Sequence, residues 1–213
     1  MADIDEYRGA HVTVKNVANR CIHSRYCVLN LSSVFKPNVD GPWIDPDAAA
    51  REAVMAVVAK CPSGALQFEA ADAREPPPTV NTVRVWENGP LAFHAELDIA
   101  GDKTSFRATL CRCGKSFHKP YCDGMHIKAG FKATGEPESQ NSAPLAVRNG
   151  PLEVKPIKDG PLCVKGALEV CSASGRTINR DTEFFFCRCG HSNDKPFCDG
   201  SHKMAGFKAD GTF

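Results

Sequence analysis

Cysteine and histidine recur in this chain at one fixed spacing. The segment from Cys111 to His126 reads CRCGKSFHKPYCDGMH, and the segment from Cys187 to His202 reads CRCGHSNDKPFCDGSH. Each places three thiols and one imidazole at offsets 0, 2, 11 and 15, a set that suits iron or zinc. The last two donors are four residues apart, which puts them on one face of a helical turn. We therefore predict two metal sites, with the ligands Cys111, Cys113, Cys122 and His126 in the first and Cys187, Cys189, Cys198 and His202 in the second.

Composition limits the classes of function. The net charge of +1 gives no reason to expect a nucleic acid or an anionic membrane as partner. No apolar run reaches the roughly 20 residues needed to cross a bilayer. The acidic start of the chain has no features of a secretory signal, so we expect a cytoplasmic protein. Eleven cysteines without such a signal favour reduced thiols that hold metal.

The first third of the chain has its own elements and its own cysteines. Alternating apolar residues predict a strand over 11–17, and Asp45 followed by proline predicts the start of a helix over 47–60. A tight turn and a strand ending at 69 follow the helix. Three consecutive prolines within 70–79 then predict an extended linker.

The rest of the chain is an internal repeat built around the two metal loops. Each copy contains Gly-Pro-Leu, at 89–91 and 160–162, followed by strand-like text, and each ends in AGFKA, at 129–133 and 205–209. Between Gly-Pro-Leu and the first ligand the second copy is five residues longer, and we place this insertion in a loop around 172–179. The predicted organisation is a domain over 1–70, a linker over 71–84, a first repeat over 85–135, and a connection with the second repeat over 136–213.

The repeated motif resembles that of the CDGSH iron–sulfur domains, C-x-C-x2-[ST]-x3-P-x-C-D-G-[SAT]-H. The second copy fits at every position, whereas the first has Met125 where the family has a small residue. The resemblance covers about residues 85–213 and implies a [2Fe–2S] cluster at each site, with two cysteines on one iron and cysteine plus histidine on the other. It also implies that the two β-rich units pair as an internal version of the family's homodimer, so that the chain is a monomer. The alternative is a pair of structural zinc sites, since Cys3His is also a zinc set.

Residues 11–69 are similar to the divergent, single-cluster 4Fe–4S ferredoxin-like domain, through the motifs CIHSRYC and CPSGAL. Ferredoxin clusters use closely spaced cysteines and a remote Cys-Pro. Here the available thiols are Cys21, Cys27 and Cys61, and Ser24 stands where a ferredoxin has a further ligand. Three thiolates suffice for a [3Fe–4S] cluster, while a [4Fe–4S] cluster needs a fourth ligand, from His23 or solvent. A domain that has lost its cluster is an equally weighted alternative.

Other repeated residues leave more than one interpretation open. Arg112 and Arg188 lie between the first two ligands of each motif and either donate to cluster sulfur or pair with a surface carboxylate. Phe131 and Phe207 are predicted core anchors. Cys163 and Cys171 lie in strand-like text outside both motifs and are predicted to be buried and inert.

The sequence as a whole predicts an α+β protein: a small ferredoxin-like domain, then two β-rich units packed as a pseudo-twofold internal dimer. The expected function is electron transfer or redox sensing with a partner protein, and the alternative is storage or transfer of clusters to an apo iron–sulfur acceptor. A third possibility is an electron-supplying module of an oxidoreductase. We expect no enzymatic activity, since no nucleophile–base pair or phosphate-binding loop is present.

Overall fold

The computed structural model of the chain describes residues 4–103 and 105–211. The predicted domain limits at residues 1 and 213 therefore lie outside the described residues. The chain forms two compact units, Met1–Pro76 and Pro77–Phe213, called here the N-terminal and C-terminal units. Across the described ranges, no helix has the length and apolar character needed to cross a membrane.

The N-terminal unit is a small antiparallel sheet covered by short helices. Its strands are β1 (Ile4–Arg8), β2 (Thr13–Val17) and β3 (Leu66–Glu69), in the order β1-β2-β3. Its helices are α1 (Tyr26–Asn30) and α2 (Arg51–Val58), with single 3-10 turns at Ala18–Arg20 and Pro46–Ala48. Val14, Val54 and Val58 are fully buried in its core, and Val57 is half-buried and packs against it. This unit agrees with the expected α+β class.

The predicted helix over 47–60 is too long. The backbone makes a 3-10 turn at Pro46–Ala48, becomes extended at Ala49, and only then enters α2. The side chain of Asp45 does not cap either element, since its carboxylate accepts a hydrogen bond from Nζ of Lys36 at 3.2 Å. A competing ion pair has thus replaced the capping interaction on which the prediction rested.

The C-terminal unit is one seven-stranded sheet. Its strands are β4 (Thr82–Val85), β5 (Leu91–His94), β6 (Glu96–Ile99), β7 (Arg107–Leu110), β8 (Pro151–Pro156), β9 (Leu162–Cys171) and β10 (Thr177–Phe186), and its one described helix is α3 (Met125–Lys128). The strand order is β6-β8-β9-β4-β5-β7, with β10 also paired to β9. β4 begins within the range 71–84 assigned to the linker and ends one residue beyond it. Val83 and Val85 are buried and alternate with exposed Arg84, as in a strand with one face on the core. The turn between β9 and β10 lies within the predicted insertion loop.

The strand register has a pseudo-twofold symmetry. β4 of the first repeat pairs in parallel with β9 of the second, where Val83 lies opposite Val170. β8 of the second repeat pairs in parallel with β6 of the first, where Val154 lies opposite Ile99. The same structural position in each repeat therefore contacts the same partner position in the other. The predicted internal dimer is confirmed, and its two halves share one sheet.

Candidate metal centres

Each predicted metal loop begins where a strand ends and folds back onto that strand. Cys111 directly follows β7, and its N–H donates to the carbonyl oxygen of Pro120 at 2.7 Å. The N–H of Cys122 donates back to the carbonyl oxygen of Thr109 at 2.9 Å. The second loop repeats this pattern at 2.8 Å in both bonds, from Cys187 to Pro196 and from Cys198 to Phe185. Backbone pairing therefore returns the third cysteine to the first two.

The four donors of each loop lie in two pairs. The Sγ atoms of Cys111 and Cys113 are 3.7 Å apart, and Sγ of Cys122 lies 3.4 Å from Nδ1 of His126. The second loop has the same distances, 3.7 Å for Cys187 with Cys189 and 3.4 Å for Cys198 with His202. Yet nowhere in residues 4–103 and 105–211 do three or more Cys, His, Asp or Glu side chains gather closely enough to hold one metal ion. The geometry therefore offers two chelating pairs in each loop.

Hydrogen bonding and burial shift the pKa values of these thiols. A hydrogen bond from Cys113 lowers the pKa of Cys111 to about 6, and the same bond raises the pKa of Cys113. Burial raises the pKa of Cys122 to about 12 and that of Cys189 to about 11. A metal that binds thiolates must displace these protons, so loading of the sites releases acid.

A serine and an aspartate brace each loop. The hydroxyl of Ser116 donates to the carbonyl oxygen of Tyr121 at 2.7 Å, and Ser192 donates to Phe197 at the same distance. The carboxylate of Asp123 accepts hydrogen bonds from the N–H groups of both Phe117 and Met125. Asp123 thus joins the two sides of the ligand loop.

Asp199 makes the matching bonds in the second loop, to the N–H groups of Asn193 and Ser201. These bonds hold the pKa of Asp199 well below its usual range. The carboxylate is therefore ionised at neutral pH.

Arg112 and Arg188 fit neither of their two predicted interactions. Arg112 is only 1% exposed, and its guanidinium donates to backbone carbonyl oxygens, those of Gly89 at 3.0 Å and Trp86 at 2.6 Å among them. It lies over the ring of Phe131, 5.4 Å from the centroid. Arg188 repeats this arrangement with Gly160, Ile157 and Phe207. Each arginine ties its ligand loop to the turn before the repeat's second strand.

These arginines also connect the two sites electrostatically. Burial lowers the pKa of Arg112 to about 10, and attraction to Cys187 of the other loop opposes this shift. Burial likewise lowers the pKa of Arg188, with an opposing attraction to Cys111. Each cation therefore acts on thiolates of the opposite repeat.

The two loops touch through a pair of glycines. Gly114 has φ +76°, and a Cβ atom there would lie 2.5 Å from the carbonyl oxygen of Cys189. Gly190 has φ +85°, and its Cβ would lie 2.6 Å from the carbonyl oxygen of Cys113. Both glycines belong to the repeated CRCG sequence, and this repetition is the sequence feature that indicates the contact.

The three cysteines of the N-terminal unit line one cavity of about 720 Å³. Cys21, Cys27 and Cys61 share it with His23 and Ser24. Burial raises the pKa of Cys21 and of Cys27, and the electrostatic interaction with Cys61 raises both pKa values further. The three thiols that the sequence offers as ligands therefore line the same cavity.

The loop between Cys21 and Cys27 has an unusual backbone. His23 and Arg25 have φ values of +53° and +61°, in the left-handed region that non-glycine residues avoid. Such residues cost about 1–3 kcal/mol each and concentrate at functional sites. The same conformation also occurs outside the candidate sites, at Asn88, Ala100 and Asp159.

The remaining sequence predictions concern residues outside the ligand set. Cys163 and Cys171 are buried in β9, as expected. Phe131 and Phe207 are only half-buried, and their contact is with an arginine, so they do not serve as core anchors.

The fold and the paired donors define a class of protein in which two matched, thiol-rich metal-binding loops lie on one shared sheet. Comparison with protein families then gives the family. Residues 86–127 and 159–203 match the model described as iron-binding zinc finger, CDGSH type, and residues 7–71 match the model described as divergent 4Fe-4S mono-cluster. No curated protein matches the chain. The chain is thus a tandem CDGSH iron–sulfur domain protein with an N-terminal divergent 4Fe–4S mono-cluster domain.

Proposed function

We propose that each repeated loop holds a [2Fe–2S] cluster and that the protein transfers electrons or senses redox state. The observation that carries the proposal is the pairing of donors within each loop. Two sulfur ligands at ~2.3 Å from one tetrahedral ion are about 3.7 Å apart, as in Cys111 with Cys113. The second pair, Cys122 and His126, then serves a second iron. A single zinc ion would instead need all four donors around one point.

When bound, such a cluster accepts and returns one electron. The chain supplies its surroundings: N–H groups of Lys115 and Gly124 lie 3.4 and 3.5 Å from ligand sulfurs, and such bonds tune the potential of a cluster. Cys111 and Cys113 are buried, whereas His126 is only half-buried. The histidine side of each site is therefore the side that a partner reaches.

Iron and acid-labile sulfide per chain test this assignment. We expect at least four irons and four sulfides per chain, in anaerobically purified protein with a red-brown colour. Seven or eight irons would place a further cluster at Cys21, Cys27 and Cys61, as the cavity that they line supports. Zinc in place of iron, with no visible absorbance, would contradict the proposal.

The histidine ligands predict an acid-sensitive cluster. Because protons compete with iron for the imidazole, visible absorbance is expected to decay faster as the pH falls below about 6.5. Burial lowers the pKa of His126, which moves its protonation towards lower pH.

The variant His202→Cys replaces this ligand at one site only. Roughly half of the absorbance should then resist acid, while the half from the first site should decay as in wild type. Absorbance that decays at one rate in both proteins, at every pH, would count against the idea.

Transfer of intact clusters is a second candidate function. The observation that favours it is the half-buried position of both Cys198 and His202, which leaves one chelating pair accessible to an acceptor. Mixing the holo-protein with an apo-ferredoxin distinguishes the two functions, since transfer moves iron and sulfide between the proteins and electron exchange does not.

A further inference from the structure

The two candidate metal centres have the same backbone and different surfaces. Asp123 bonds the N–H groups of Phe117 and Met125, and Asp199 bonds those of Asn193 and Ser201 at the same positions. The surface around each histidine can therefore be compared residue by residue. One repeat serves as an internal reference for the other.

The first site has an apolar surface. Phe117 is 80% exposed, Ile127 is 76% exposed, and Met125 is half-buried. The bonds of Asp123 bring the backbones of Phe117 and Met125 together, and Ile127 follows next to His126. Exposed apolar groups that cluster around a functional group mark an interaction surface more often than scattered ones do. We call Phe117, Met125 and Ile127 the apolar rim.

The second site has a polar surface at the same positions. Asn193, Ser201 and Lys203 stand in place of the apolar rim. Its exposed apolar side chain is Met204, which corresponds to Lys128 of the first repeat. The apolar rim is thus a property of one site and is not required by the loop itself.

Charge separates the two surfaces further. Residues 111–134 contain five basic residues and one acidic residue, whereas residues 187–210 contain four basic and three acidic. Around the apolar rim, Lys115, Lys128 and Lys132 are exposed. The acidic residue, Asp123, is half-buried and engaged by two backbone N–H groups. The exposed charge around the first site is therefore positive.

We infer that the first site alone docks a partner protein whose surface has an apolar centre surrounded by carboxylates. This inference rests on the proposed function, because the partner covers His126, the most accessible ligand of that site. The lysines attract the acidic partner and orient it, and Phe117 and Ile127 make the close contact. The second site, with its polar surface, does not dock this partner.

An anionic membrane would also attract lysines and apolar groups, but the local structure favours a protein. Membrane-surface binding uses an amphipathic helix with a long apolar face, or a lipid anchor. Here the apolar rim comes from a loop and from α3, which has only four residues. Transient redox complexes have small interfaces, which a few exposed side chains can form.

The test uses a flavodoxin, an acidic FMN protein, as the probe for an acidic redox partner. Its dissociation constant for the holo-protein is measured by calorimetric titration at low and high salt. The rim variant Phe117→Asn with Ile127→Lys gives the first site the residues of the second at the two exposed positions of the apolar rim. The matched control, Asn193→Ala with Lys203→Ala, changes the corresponding exposed positions of the second site. Iron content and visible absorbance are recorded for every protein.

We expect wild type to bind flavodoxin, with affinity that falls as salt rises. The rim variant should bind at least about tenfold more weakly, and the control should stay within about twofold of wild type. The inference is overturned if wild type does not bind, if both variants bind alike, or if vesicles containing phosphatidylserine bind through the apolar rim while flavodoxin does not.

These results separate the two proposals. If the rim variant has full absorbance and binds flavodoxin as wild type does, the proposed docking surface is wrong and the cluster assignment still holds. If the wild-type protein contains no iron and has no visible absorbance, the cluster assignment is wrong. The titration with flavodoxin still tests whether the apolar rim binds a partner.

Discussion

The variant Gly190→Ala is expected to destabilise the C-terminal unit and to reduce the iron content of both sites. Its Cβ would lie 2.6 Å from the carbonyl oxygen of Cys113, and φ at this position is +85°. The neighbouring atom belongs to the backbone of the first ligand loop, so it cannot rotate away as a side chain would. The left-handed conformation and the overpacking together cost about 2–5 kcal/mol. Urea unfolding and iron analysis of the purified variant measure both effects.

The control for this prediction is Gly101→Ala. Gly101 has φ +96°, and nothing lies within 4 Å of its added Cβ. The variant Gly101→Ala therefore has the conformational cost of alanine at positive φ without a steric clash. Equal destabilisation by the two variants, or loss of iron from the second site alone, would show that the contact between the loops is unimportant.

Replacement of Arg112 by methionine should have an effect of similar size. The change removes a donor from the carbonyl oxygens of Gly89 and Thr134, while those of Trp86 and Ala133 still accept from the N–H groups of Gly89 and Asn88. Each buried carbonyl group left without a donor costs about 1–3 kcal/mol, and the lost charged hydrogen bonds of Trp86 and Ala133 add to this. The cation also attracts Cys113 and Cys187, so its loss should lower the reduction potentials of both sites. We expect a decrease on the order of tens of millivolts.

Two further variants separate packing from charge. Arg112→Lys keeps the positive charge and loses the planar guanidinium group with its several donors. The free energy of unfolding should therefore fall, while the reduction potentials stay near those of wild type. Arg84→Met removes an exposed arginine of β4 and should change the free energy of unfolding by no more than about 0.5 kcal/mol. Wild-type potentials in Arg112→Met would contradict the electrostatic part of the prediction.

The ligand spacing was predictable because it depends on local chain geometry. Offsets of two and four residues bring Cys111 to Cys113 and Cys122 to His126 by short-range geometry alone. The internal dimer was predictable from the family resemblance. The pairing of β4 with β9 was not, because it joins segments about 87 residues apart and depends on the whole sheet.

The errors came from competition between interactions. Asp45 has the right type and position for a helix cap, but Lys36, nine residues earlier, engages its carboxylate. Arg112 and Arg188 were expected near sulfur or at the surface, since a buried cation without a carboxylate is rare. Only the folded chain reveals the backbone carbonyls that satisfy them.

The shared sheet has a consequence for how the two sites have diverged. In an assembly of two identical chains, every substitution appears twice, so a change that benefits one cofactor environment is imposed on the other. Joining both copies in one polypeptide removes that constraint, while the exchange of β4 and β8 keeps them mutually dependent for folding. Natural selection can then specialise Phe117 and Asn193 separately, as duplicated genes specialise, within a molecule that still folds as one piece.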